Sequence, residues 1–201
     1  MKRFAMLVAL GGAMLLIAPL TQAAKFSTQL SGPAESPPNA SPGVGSAFVE
    51  LDPVAHTLHV RVTFSGLTAN TTMAHIHCCV APPGTAGVAT TVPAFVGFPL
   101  GVTSGSFDGT FNTLLAGTWN AAYITANGGT PATAETALLA GMVAGQSYLN
   151  IHTTAFPPGE IRGFLNLQPD VPSLTQGALV ALAATVLLLG FAMMRKRRQR
   201  L

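Results

Sequence analysis

TLHVRVTF, residues Thr57 to Phe64, alternates without a break. Leu58, Val60, Val62 and Phe64 fall on one face, and Thr57, His59, Arg61 and Thr63 on the other. A period of two is the signature of a strand with one buried face. The turn signal Asp52-Pro53 precedes it, and before that Ala47, Val49 and Leu51 alternate with Phe48, Glu50 and Asp52. These two runs read as an antiparallel pair.

Working outward, similar short runs occur at 26–30, 72–79, 104–111, 121–125, 147–152 and 160–167, separated by Gly, Pro and Asn. Many short strands with frequent turn signals predict an all-β domain, an antiparallel β-sandwich or barrel. One short helix is expected. Thr130 suits its N-cap and Pro131 its first turn, Ala134, Leu138 and Met142 share a face, and Gly141 or Gly145 ends it. Residues 31–45 read as an irregular surface loop. The long segment Ala81–Gly101 is either a binding loop or a packed Ω-loop.

Both ends of the 201-residue chain read as address labels. Lys2 and Arg3, the apolar run Ala5 to Leu20, and small residues up to Ala24 make a secretory signal peptide over 1–24. Gly177 to Met194 is an uncharged run long enough for a transmembrane helix, and Arg195, Lys196, Arg197, Arg198 and Arg200 follow it. Such cations stay cytoplasmic, which places the preceding domain outside. The expected organisation is signal peptide 1–24, β domain 25–170, and membrane segment with basic tail 171–201. The expected location is the inner membrane facing the periplasm, and after processing the cell surface or exterior.

Without the labels the charge changes sign. Lys25, Arg61 and Arg162 stand against seven acids, so the domain carries −4 where the whole chain carries +3. A nucleic-acid partner loses its electrostatic basis.

The chemistry-bearing stretch is TMAHIHCCV, Thr72 to Val80. Ala74, Ile76 and Cys78 suit the core, so His75 and His77 point the other way. The same alternation puts Asn150 and His152 opposite Leu149 and Ile151, and Glu160 and Arg162 opposite Ile161, Leu165 and Leu167. Residues i and i+2 on a strand lie about 6.5–7 Å apart, near enough to share an ion. His75, His77 and His152 therefore form a candidate copper or zinc site, with binding expected to weaken as pH falls through about 6.5. Asn150, Glu160 and Arg162 are expected to support it, or Glu160 and Arg162 to pair with each other. His56 and His59 read as surface residues. Cys79, about 13 Å from His75 on an extended strand, cannot join that residue's metal.

The only two cysteines are adjacent. Three readings are open for Cys78 and Cys79: a vicinal disulfide, strained because adjacent trans Cα atoms lie closer than a disulfide prefers; a buried Cys78 with Cys79 near a metal; or two reduced thiols.

Two resemblances complete the reading. Val171-Pro172-Ser173-Leu174, the apolar span and the basic tail resemble the C-terminal sorting signals of Gram-negative surface proteins, closest to the class opening Ile-Pro-Thr-Leu. Ser173 stands where that class has Thr, and its Trp is absent. The resemblance implies a membrane-bound sorting protease as partner. Ala74-His-Ile-His77, Asn150-Ile-His-Thr153 and Gly159-Glu-Ile-Arg-Gly163 resemble the motifs of the CHRD domain, first described in chordin, from about Phe26 to Leu167. Cys78 and Cys79 take the positions of that family's Gly-Pro. The family implies an extracellular β-rich domain without established catalysis. The expected function is an exported, non-enzymatic binding module that holds one copper or zinc ion. The alternatives are a copper/zinc β-sandwich oxidoreductase of superoxide-dismutase type and a structural matrix component. Three histidines are too few for a two-metal centre, and no Gly-x-Ser-x-Gly hydrolase motif occurs.

Overall fold

The computed structural model describes residues 23–169. The expected signal helix, transmembrane helix and sorting signal lie outside them. No helix among the described residues is long and apolar enough to cross a membrane.

The strands are β1 Ala24–Ser31, β2 Val44–Asp52, β3 Thr57–Ser65, β4 Thr71–Cys78, β5 Gly105–Asn112, β6 Ser147–Thr153, β7 Ile161–Phe164 and β8 Asn166–Leu167. They form one antiparallel sheet in the order β4-β6-β7-β1-β2-β3-β5, with β8 added beside β1. The all-β expectation holds in the form of a single curled sheet, a half-barrel, rather than two sheets face to face.

The opening stretch sets the register. Val49 pairs with Val60 and Leu51 with Leu58, so their side chains enter one core. The turn between β2 and β3 is fixed by Asp52, whose Oδ1 accepts from the amides of Val54 and Ala55 at 2.8 and 2.9 Å. Burying each large aliphatic side chain here contributes about 1.5–3 kcal/mol.

Helix α2, Pro131–Val143, closes over this core with Ala134, Leu138 and Met142 fully buried. Thr130 caps it reciprocally with Thr133. It ends at Gly145, whose φ of +67° lets the chain turn back.

Two expectations fail. Residues 121–125 are not a strand; they lie in the short helix α1, Ala121–Ala126, which Asn120 caps by accepting from the Ala122 amide at 3.0 Å. A short apolar run does not declare its period, and the cap decides it. Leu167 is 46% exposed, because the strand breaks at buried Leu165 and the alternation does not carry across the break into β8.

Candidate metal centre

The site lies on β4 and β6, which pair so that His75 faces Asn150 and Met73 faces His152. His75 and His77 share one face of β4, and His152 reaches them diagonally from β6. The ring of His75 lies 4.7 Å, centre to centre, from each of the other two.

The expectation that these faces lie away from the interior is corrected. His75, His77 and His152 are 2%, 8% and 4% exposed, and Asn150, Glu160 and Arg162 are also buried. The segment Ala81–Gly101 supplies the cover. It runs along the outer edge of β4, with hydrogen bonds from Ala89 N to Ile76 O at 2.9 Å and from Phe95 N to Ala74 O at 3.1 Å. Of the two readings of this loop, packing prevails.

The covering segments also orient the rings. Nδ1 of His75 bonds Pro93 O at 3.1 Å, Nδ1 of His77 bonds Ala86 O at 2.8 Å, and Nδ1 of His152 bonds Pro157 O at 2.8 Å. A carbonyl only accepts, so each Nδ1 carries the proton and each Nε2 keeps a lone pair. Nε2 of His152 lies 3.0 Å from Nε2 of His75, and the buried Nε2 of His77 has no hydrogen-bond partner. The three ligand atoms lie within 4.8 Å of one another.

Electrostatics favour the neutral rings. Burial pushes His75 down to about 3, with the neighbouring His77 and His152 adding to the effect. Burial likewise pushes His77 down to about 4, although the Ala86 carbonyl pulls upward. His152 is lowered by burial against the pull of Pro157 O.

These nitrogens fit a metal ion. Metal–imidazole bonds of about 2.0–2.1 Å place neighbouring nitrogens about 3.0–3.4 Å apart; His75 and His152 already stand at 3.0 Å, and a ligand nitrogen of His77 lies within 4.8 Å of theirs. Lone pairs facing one another without a proton repel, and a Lewis acid between them removes that repulsion.

The supporting residues behave differently from expectation. Glu160 and Arg162 do not pair. Both oxygens of Glu160 are occupied: Oε1 accepts from Ser41 Oγ and Thr68 N at 2.6 Å, and Oε2 accepts from Thr153 Oγ1 at 2.5 Å. Burial pushes Glu160 up, but these donors outweigh it and leave the carboxyl below its usual range. It joins the segments at 41, 68 and 153 and stays outside the histidine cluster.

Arg162 instead donates to Ala34 O, Pro83 O and Gly84 O at 2.6, 2.8 and 3.1 Å, with the Glu35 carboxylate 3.8 Å away. Its guanidinium lies over the Tyr148 ring at 4.8 Å, and that ring stacks on His77 at 4.6 Å, nearly parallel. Arg162 thus acts on the site through Tyr148 and through the loop it anchors. Asn150 lies beside Gly159, where an added Cβ would meet the Asn150 amide and Glu35 Oε1. The opening glycine of Gly-Glu-Ile-Arg-Gly is therefore a position with no room for a side chain.

Two residues at the site, Tyr148 and Glu35, were not among the expected site residues. Tyr148 carried a signal, since it shares the alternation of Asn150 and His152. Glu35 carried none, because it sits in a Pro-rich loop read as surface. Its burial pushes its carboxyl up to about 7, against the opposing pull of Arg162.

Cys78 and Cys79 are joined in a disulfide across a cis peptide, with Cα atoms 3.0 Å apart. His56 and His59 lie outside the cluster. His56 meets Glu135 on α2 at 3.1 Å, and His59 meets Asp108 on β5 at 2.7 Å.

The family model of the CHRD domain matches residues 26–165, more than half of the chain. No curated protein and no solved structure matches it.

Proposed function

The chain belongs to the CHRD domain family, and from that premise we propose an exported, envelope-associated binding module that holds one copper or zinc ion through His75, His77 and His152. The observation that carries the metal reading is the cluster of three buried imidazoles with ligand nitrogens within 4.8 Å of one another, each ring having Nδ1 committed to a carbonyl so that Nε2 keeps its lone pair. Metal-binding histidines commonly have their other nitrogen fixed in this way. An all-imidazole donor set suits copper and zinc better than magnesium or calcium.

Burial of all three rings suits retention of an ion rather than turnover of a substrate, and the protein is read as non-enzymatic. Export rests on Lys2, Arg3 and the apolar run behind them, and on the five cations that follow Gly177–Met194. The C-terminal segment anchors the domain to the membrane until a sorting protease releases it.

Elemental analysis of full-length protein, purified in detergent without a histidine tag and challenged with equimolar zinc and copper, tests the metal reading. One tightly held equivalent is expected. Stoichiometry near zero after desalting removes it.

A further inference from the structure

The bond between Cys78 and Cys79 encloses no loop. A crosslink stabilises chiefly by restricting the unfolded chain, and the effect grows with the number of residues enclosed. Neighbours already joined by a peptide enclose none. The bond nevertheless has a place made for it. Helix α2 crosses the pair at Gly141, where a methyl group would strike both sulfurs. The two sulfurs also face different surroundings: Cys78 is buried in the core, and Cys79 is exposed. The Tyr123 hydroxyl and the Ala137 carbonyl lie 3.9 Å from Cys79 Sγ. A bond that restricts no loop, fitted against a helix and carried by one exposed residue, points to chemistry rather than stability.

We propose that Cys78–Cys79 is a reversible two-electron redox centre that exchanges with small thiols at Cys79. An external thiolate attacks Cys79 Sγ, the sulfur of the exposed residue. The Cys78–Cys79 bond breaks, its electron pair leaves on Cys78 Sγ, and Cys78 takes up a proton from water. The product is a mixed disulfide on Cys79. A second external thiolate attacks the external sulfur of that mixed disulfide. The small disulfide departs and Cys79 is released as a thiolate, which accepts from the Tyr123 O–H and then takes up a proton. In total two thiols are oxidised to one disulfide, and the protein disulfide is reduced to two thiols. Burial pushes Tyr123 up to about 12, so its hydroxyl remains a donor throughout. Attack depends on access to the sulfur, and access separates the two cysteines. The proposal does not depend on the histidine site.

The test uses the full-length protein in detergent micelles with reduced and oxidised glutathione. Rising reduced glutathione should open both sulfurs together, seen as two alkylations by intact mass, while far-UV circular dichroism stays unchanged. Oxidised glutathione should restore the bond. Thiols that appear only when denaturant unfolds the protein overturn the proposal. Cys78→Ser should form a mixed disulfide with oxidised glutathione at least about tenfold faster than Cys79→Ser, since one leaves an exposed thiol and the other a buried one. Equal rates overturn the assignment of Cys79. Should either variant fail to fold, Gly141→Ala serves instead: its methyl should slow reoxidation of the reduced protein, and an unchanged rate again overturns the proposal.

Discussion

Nε2 of His152 stands 3.0 Å from Nε2 of His75, and both rings have committed Nδ1 to a backbone carbonyl. Two acceptors at that distance are held together by the fold and not by each other. A cation between them would remove the repulsion of their lone pairs. His77→Ala and His152→Ala should each weaken zinc or copper binding by more than about 100-fold, measured by competition with a chromophoric chelator. His59→Ala should change nothing, because His59 is engaged with Asp108 away from the cluster. Equal losses in all three variants would move the site elsewhere.

Acid should destabilise the metal-free domain, and the sign follows from the shifts. His75, His77 and His152 are all depressed from 6.5, the first two to about 3 and about 4. The unfolded chain therefore takes up protons first as pH falls. Their contribution is full above about 6.5 and is lost toward about 3, at up to about 1.4 kcal/mol per pH unit for each ring. Glu35, raised from 4.5 to about 7, acts oppositely between those values. Three groups outweigh one, so net stability should fall on acidification. Glu35→Gln should make the loss steeper between pH 7 and 4.5. Urea denaturation at pH 7.5, 5.5 and 4.5 measures both. By the same depression, a metal bound at the proposed site should be released below the pH of about 6.5 expected for free imidazole.

Arg162→Met should cost about 1–3 kcal/mol, since it leaves the half-buried carbonyls of Ala34 and Gly84, and that of Pro83, without their donor and pushes Glu35 further toward its neutral form. Arg162→Lys should recover only part, because an ammonium cannot span Ala34, Pro83 and Gly84 as a planar fork does. Chemical denaturation gives the cost. Hydrogen exchange at the amides of 84–89 should rise in both variants.

Gly163→Ala should destabilise by about 1–3 kcal/mol. An added Cβ would strike Gln29 O and Thr28 Oγ1 on β1. Thermal unfolding of this variant beside Gly87→Ala, where nothing lies within 4 Å of the added carbon, separates crowding from the generic effect of losing a glycine.

Full-length protein expressed in a Gram-negative host should fractionate with membranes, its β domain open to protease from the outer side. In a host with the matching sorting protease, mature protein should end near Val171 by intact mass. A domain protected on the cytoplasmic side would overturn the export reading.

Much of the fold was legible because its signals are local. Thr57–Phe64 alternates over nearly all of β3, and Thr130 with Pro131 marks the start of α2 to the residue. The three histidines could be grouped because alternation assigns faces. What alternation cannot assign is what covers a face. Pro93, Ala86 and Pro157 act through backbone carbonyls, which no side-chain pattern announces. Glu160 and Arg162 were paired on spacing alone, yet their true partners lie as far away in sequence as Ser41 and Ala34. At 121–125 the deciding signal was the capping side chain of Asn120, not the apolar run itself.

The segment Ala81–Gly101 does more than roof the histidines. β4 ends the strand order of the sheet, and its outward hydrogen-bonding groups are taken by this segment at Thr71, Ala74, Ile76 and Cys78. An uncovered edge of that kind is a template for strand addition by a second chain. The stretch of backbone that covers the histidines thus also closes the β4 edge of the strand order against a second chain.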